Sequence, residues 1–342
     1  MSLNEFDIAI IGGGCIGSSI LHELSRRHFN NIVLIDHGRK NLSATANSGG
    51  MLRVFHESLE HIDLALAHQD LLESYCQSQV RSEKNHPPGS LYFFNKARFH
   101  DYKTNLHKME QAKYPFEILT RVSGAQRFAQ FHWGPDEWAI YEPRGTHLCP
   151  RIFVNDLLVK SIQQGASIFD NFEVRRICPY RDRFRISGDQ SMITTKMLIL
   201  AGGARLLPLF QDLGLPLPLT RKTLITHLAE KTQDDFFIPN YFDRERLEFG
   251  RFGHGRHIVL SNPQTARVDE KKWGAIIEQR SAEDCYSPNR LGFSGQVPGY
   301  PGLFLATGWG GTAFKFALEV GNRVANAIEY YLAERKIINA QL

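Results

Sequence analysis

The stretch that most constrains this chain is residues 7–36, which reads strand, glycine turn, helix, strand. Ile8, Ala9, Ile10 and Ile11 run into Gly12, Gly13, Gly14, Cys15, Ile16 and Gly17, and a second apolar run at 32–35 stops at Asp36. Glycines spaced GxGxxG between a strand and a helix, with an acid after the next strand, form the fingerprint of a dinucleotide site. Gly12 allows the tight turn, Gly14 lets a pyrophosphate approach the backbone, and Gly17 lets the helix lie close on the sheet. The helix offers unpaired NH groups and the positive end of its dipole to that pyrophosphate, while Asp36 accepts from the hydroxyls of an adenosine ribose. Ile16, Ile20 and Leu24 share one helix face, as an amphipathic helix requires. The competing reading is a glycine turn in another α/β protein. It leaves the agreement of strand, helix and acid unexplained.

At 342 residues the chain is long enough for two domains, or one with a large insertion. No apolar run is long enough to span a membrane. The first apolar segment contains the glycine turn, so it does not read as a signal peptide, and a cytoplasmic location is expected. The five cysteines, at 15, 76, 149, 178 and 285, form no CxxC and no Cys/His ligand spacing, so neither a metal nor a disulfide framework is expected. The net charge of +4 is dispersed, which argues against nucleic-acid binding.

After Asp36 and His37 comes a polar connector ending in Ser48, Gly49, Gly50, Met51, Leu52 and Arg53. Paired glycines there suit close approach to a large planar ligand; an ordinary loop is the alternative. Residues 59–80 have helical spacing, 91–94 read as a strand, 105–129 as partly helical, and 133–141 as an aromatic strand. Residues 153–162 are amphipathic, and 172–174 read as a strand returning to the first sheet. A buried strand at 197–201 ends in Gly202 and Gly203, and another at 303–307 ends in Gly308. The segment between them is β-rich, with a hairpin turn at 253–256. A helix over 312–334 closes the chain.

The order GGGCIG, SGGMLR, LILAGGA and LFLATGWGGTAFKFALEVG resembles the FAD-dependent amine and amino-acid oxidoreductases, the group of D-amino acid oxidase, glycine oxidase and monomeric sarcosine oxidase. The likeness runs through nearly the whole chain and is loosest in its middle. It implies an α/β fold: a Rossmann-like FAD-binding domain (1–55, 142–210 and 296–342) with an inserted α+β substrate domain (56–141 and 211–295) built on an antiparallel sheet. It also implies that FAD fills the fingerprint. Gly12, Gly14, Cys15, Ile16, Gly17, Asp36 and His37 would hold its adenosine and pyrophosphate, and Val174 its adenine. Ala201, Gly202 and Gly203 would pass near the ribityl chain, and Ser48, Gly49 and Gly50 near the flavin. Gly308, Gly310, Gly311, Thr312 and Lys315 would carry a helix N-terminus to the flavin pyrimidine, where NH groups stabilise the charge of the reduced ring.

Within that resemblance, Lys315 matches a lysine that binds a substrate carboxylate, with a snorkelling lysine as the alternative. Arg53 matches an arginine beside the flavin, with a surface ion pair as the alternative. His56 stands where a second carboxylate-binding arginine is expected. Asp284 stands where relatives have a carboxylate-binding arginine or a flavin-linked cysteine. Cys285 is one position off, so non-covalent FAD is expected. If Asp284 faces the pocket it favours a cationic amine; otherwise it is a loop acid in solvent. His257 falls near an oxygen-activating lysine, with Arg256 as its rival if the register slips.

These expectations converge on oxidation of a C–N bond in a small amine or amino acid, with O2 as acceptor. A second reading is a flavoprotein acting on a protein-borne side chain, motivated by the missing carboxylate-binding arginine and by an aromatic stretch at 128–138 read as exposed. A third, an NAD(P) reductase, rests only on Arg39 and Lys40 after Asp36.

Overall fold

The computed structural model describes residues 3–38, 43–77, 89–189, 191–230, 239–252, 257–261 and 275–341. The chain divides into two compact units: 1–46, 150–223 and 283–342 form the first, and 47–149 with 224–282 the second. Two of these boundaries fall inside the strands Thr220–Glu230 and Ile276–Tyr286. No described helix is long and apolar enough to cross a membrane.

The first unit is built on a sheet whose spatial order is Phe293–Gln296, Leu303–Thr307, Met192–Leu200, Leu3–Ile11, Ile32–Ile35, Ser167–Phe169. All neighbours in that list run parallel except the first pair. The central strands pair through short apolar runs, Ile8–Ala9–Ile10–Ile11, Ile32–Ile35 and Met197–Leu198–Ile199–Leu200, all buried. In register, Ile8 faces Met197 and Ile32, and Ile10 faces Ile199 and Leu34. A parallel sheet covered on both faces demands such runs. Parallel register also brings the carboxyl ends of three strands to one edge, where each gives way to glycine: Gly12, Gly202 and Gly308. The fingerprint helix Cys15–Arg26 packs against Pro150–Gln163 and the long C-terminal helix Ala313–Gln341.

One expected element differs. The returning strand is Ser167–Phe169, paired with Val33, Leu34 and Ile35, and it ends before 172–174. Those three residues follow as a loop, held by the Phe172 amide donating to the Asp36 carbonyl at 2.8 Å. Asn171 at φ 66° turns the chain out of the sheet first, and asparagine tolerates that conformation better than most residues.

The second unit carries a sheet in which the parallel pair Asn240–Asp243 with Ser90–Asn95 is flanked on both sides by antiparallel pairs. Its core includes Leu91, Phe93, Phe128, Phe131, Trp133, Ala139, Tyr141 and Tyr241. The aromatic stretch at 128–138 is therefore not exposed: Phe128, Phe131 and Trp133 are buried, and the Trp133 indole donates to the Phe128 carbonyl at 3.1 Å. Apolar rings spaced along a short helix and its following turn supply this core because the helix Arg121–Arg127 lays Gly124 directly under Trp133.

Candidate active site

In the first unit the glycine turn is a built cradle. A Cβ on Gly17 would lie 1.9 Å from the Gly12 carbonyl oxygen, and one on Gly12, at φ +111°, would lie 2.5 Å from the Gly202 Cα. Both positions are closed to any side chain. The Asp36 carboxylate is fixed by accepting from the Gly13 amide at 2.7 Å and the Gly38 amide at 2.9 Å. His37 follows it, half-buried. The fingerprint helix has no side chain capping its first turn from Gly14 and no acid in that turn. Thr45, from the connector, accepts from the Cys15 amide at 3.1 Å.

Asp284 belongs to this same unit. Its carboxylate is half-buried and accepts from the following Cys285 amide at 2.8 Å. Burial pushes the Asp284 carboxyl up to about 6, against that amide bond. Burial likewise pushes the Cys15 thiol up to about 11, against its bond with Thr45, and Asp284 adds to the rise. Cys285 itself is 1% exposed. Tyr286 lies against the C-terminal glycines: a Cβ on Gly310 would meet its ring at 2.3 Å.

The last strand continues through Gly308 (φ +82°) and Trp309 into the turn Gly310–Thr312 and then the C-terminal helix. That turn has no side-chain cap, and the helix has no acid in its first turn. Thr312 directs its hydroxyl back to the Trp309 carbonyl at 2.6 Å. Half-buried Lys315 donates to the Gly311 carbonyl at 3.3 Å.

The second unit assembles a different constellation around Arg53. This side chain is 7% exposed, not on the surface. Its guanidinium lies over the Tyr92 ring at 5.0 Å and the Phe242 ring at 5.3 Å and donates to the Phe55 carbonyl. Burial pulls its pKa down, opposed by Glu142, Tyr92 and Glu57. Glu142 is fully buried and accepts from the Val54 and Phe55 amides at 2.6 and 3.2 Å. Burial raises its pKa, opposed first by Arg53. At the rim, Glu57 accepts from Tyr102 at 2.8 Å, Tyr92 at 3.1 Å and Arg244 at 2.5 Å. His56 is buried with its carbonyl held by the Asn105 amide group at 2.8 Å, its ring 5.5 Å from that of His61. Ser48 stabilises the next turn through the Gly50 amide at 3.1 Å, and Gly49 packs under Phe249. His257 opens the strand His257–Ser261 opposite Glu230; its side chain, and Arg256, Arg39 and Lys40 altogether, lie outside the described residues.

The structure thus joins Gly12, Gly14, Cys15, Ile16, Gly17, Asp36, Ala201, Gly202, Gly203, Gly308, Gly310, Gly311, Thr312, Lys315 and Asp284 in one unit, with Arg53, His56 and Ser48 in the other. Sequence reasoning missed Thr45, Tyr286, Glu142, Tyr92 and Glu57. An acid ending an aromatic strand and followed closely by a glycine, as Glu142 is by Gly145, is the one signal that could have marked a buried carboxylate.

The FAD dependent oxidoreductase family profile, DAO, matches residues 7–327 of this chain. The chain belongs to that family. Monomeric sarcosine oxidase from Streptomyces avermitilis is 25% identical over 221 residues, 64% of this chain and 57% of that protein, so the match spans less than two thirds of it. Glycine oxidase from Geobacillus kaustophilus superposes with a TM-score of 0.81 at 18% identity, over 96% of this chain and 95% of that one. L-Proline dehydrogenase from P.horikoshii gives 0.84 at 16% identity, over 96% and 94%. At these identities the structural likenesses establish the fold.

Membership in an FAD-dependent family implies FAD, and the first unit fits it. Its cradle admits a pyrophosphate at a helix N-terminus where only the Cys15 amide is taken, by Thr45, and a Cβ at Gly12 or Gly17 would close the turn itself. The donors are backbone amides, which suit an anion.

Proposed function

We propose that the chain oxidises a C–N bond of a small amine or amino acid, using FAD held non-covalently by the first unit. One observation carries this reading. The carboxyl ends of three parallel strands converge on one sheet edge with glycine after each, and the fingerprint helix and the Gly310–Thr312 turn begin there. Crevices at such strand ends are where open α/β sheets hold dinucleotides. Bound FAD would supply a two-electron acceptor for the hydride leaving the carbon next to nitrogen.

The protein's part is binding and orientation. Backbone amides at Ile16 and Gly17 would take the pyrophosphate, and Asp36, already fixed by two amides, would take the adenosine ribose. The Gly310–Thr312 turn would point amides at the electron-accepting ring, with Lys315 one turn further along, offering a cation to a substrate carboxylate or to that ring. Arg53, held between two rings and backed by Glu142, presents a rigid cation in its own unit. Burial of the Cys285 thiol supports retention of FAD without a bond to that sulfur. Sarcosine, glycine and L-proline, the compounds in the relatives' names, each carry nitrogen on the carbon beside a carboxylate. Dioxygen would serve as the acceptor. The reading of a flavoprotein that modifies another protein keeps only its other motive, the absent carboxylate-binding arginine, since Phe128, Phe131 and Trp133 are core.

The test is an absorbance spectrum of the purified protein, followed anaerobically during titration with an amine and amino-acid panel. A yellow protein bleached by one member, and recoloured by air, is the expected outcome. Colourless protein that takes up no added FAD sinks the proposal.

A further inference from the structure

The arginines of the second unit fall into two sets. Arg98, Arg127, Arg144, Arg244, Arg246 and Arg280 each lie against a carboxylate, and Arg121 is exposed. Arg53 and Arg251 have no carboxylate at ion-pair distance among the described residues, and the Nε of each is enclosed without a hydrogen-bond partner. Buried charge is ordinarily paired. The two exceptions share one face of one sheet. Phe242 pairs with Phe249 on one side and with Tyr92 on the other, and the Arg53 guanidinium lies over the Tyr92 and Phe242 rings at 5.0 and 5.3 Å. Arg251 stands two residues beyond Phe249 in a strand whose register with its other neighbour is unbroken, so its side chain leaves on the same face as Phe249. It is the diagonal neighbour of Phe242, roughly 7–8 Å across, a gap that a long side chain bridges.

The acids of this unit leave the Arg251 charge unspent. Glu142, on the same face, is held by the Val54 and Phe55 amides and offsets Arg53. Glu57 is committed to Tyr92, Tyr102 and Arg244. Glu248, three residues before Arg251, accepts instead from Tyr241 at 3.2 Å, and Tyr241 belongs to the core on the opposite face. Burial pulls the Arg251 pKa down, with the Cys149 thiol the one titratable group opposing it.

We propose that Arg251 sets substrate class: it takes an anionic group other than the carboxylate beside the substrate's nitrogen, so the preferred substrate is an amino dicarboxylic acid. The inference rests on the reading that the chain oxidises a C–N bond, in which Lys315 already offers a cation to the carboxylate next to the reacting carbon. A planar guanidinium matches a second carboxylate with two parallel hydrogen bonds, and the aromatic floor of Phe242 and Phe249 suits the short carbon chain between the two ends.

The test has a binding arm and a turnover arm, both on the purified holoprotein. Glutarate, a dicarboxylate with no C–N bond to oxidise, is titrated by calorimetry against its monoamide, glutaramate. The native chain is expected to prefer glutarate by about tenfold or more. Arg251→Met is expected to lose that preference, Arg251→Lys to keep part of it, and the exposed control Arg121→Gln to keep all of it. Two replacements at 251 mean that one failing to fold leaves the other to decide. In the turnover arm, aspartate or glutamate is expected to bleach the flavin at lower concentration than asparagine or glutamine of the same hand, and Arg251→Met to level the two. No native preference for glutarate, a preference unchanged in both Arg251 variants, or one lost in Arg121→Gln overturns the proposal. Equal bleaching by the acids and their amides also overturns it, and leaves the C–N oxidation reading standing. Bleaching by no amine at all defeats that reading instead, while the glutarate arm still decides whether Arg251 holds a second carboxylate.

Discussion

Gly17 is where a single atom decides most. A methyl group there would stand 1.9 Å from the Gly12 carbonyl oxygen, so the helix would have to move off the sheet, and overpacking of that kind costs about 1–3 kcal/mol. Gly17→Ala is therefore expected to lower the melting temperature and to purify with less flavin per chain, measured by thermal denaturation and by the flavin-to-protein absorbance ratio. A normally melting, fully yellow variant would contradict this geometry. In the other unit the corresponding residue is Glu142. It balances Arg53 and holds the Val54 and Phe55 amides, so Glu142→Ala strands a buried cation and two amides. Leaving a buried donor unsatisfied costs about 1–3 kcal/mol. Replacing both partners by Arg53→Met with Glu142→Leu is expected to cost less than Glu142→Ala alone, read from urea unfolding. Equal or greater loss in the double variant would show that the pair is not energetically coupled. Gly12, Gly14, Gly17 and Asp36 were legible because each meets a need few residues can meet. The surroundings of Arg53 were not, because Tyr92, Phe242 and Glu142 reach it from distant strands.

Elements were legible where periodicity is long and lost where it is short. The fingerprint helix and the C-terminal helix announce themselves through repeated apolar positions, and the buried parallel strands through short unbroken apolar runs. Residues 172–174 carry the apolar character of a strand, but they spend it packing against the sheet's core from a loop. The aromatic run at 128–138 reads equally as surface or core until Gly124 and Trp133 meet. Contacts between elements were hidden as well. Gly321, in the middle of the C-terminal helix, carries no turn signal, yet a Cβ there would lie 2.8 Å from the Ser19 backbone of the fingerprint helix. Its smallness sets the distance between the two helices whose amino ends face the cradle's edge. Gly321→Ala would gain helix propensity of roughly 1 kcal/mol, but backbone on the facing helix cannot yield as a flexible side chain can. Net destabilisation by about 1–3 kcal/mol is expected, measured by chemical denaturation. A more stable variant would mean that the helices can separate freely.

At the scale of the whole molecule, the chain leaves its first unit and returns to it twice. Two of the crossings occur inside continuous strands, where alternation of side chains gives no hint of a boundary. Such a chain need not unfold in one step, so a single melting temperature mixes the behaviour of two units. Ligand linkage separates them. A cofactor that binds only the native first unit stabilises it by RT ln(1 + [L]/Kd), about 2.7 kcal/mol at a hundredfold excess over Kd. That gain falls on amides whose opening destroys the site, and amides that open independently do not share it. Hydrogen–deuterium exchange with and without added FAD is therefore expected to show the largest slowing at residues 12–17, 36–38 and 308–315. The strands Ser90–Asn95 and Glu137–Glu142, core of the second unit, are expected to change least. Slowing concentrated in those two strands would mean that FAD is held elsewhere, and the glycine cradle would then be a feature of folding alone.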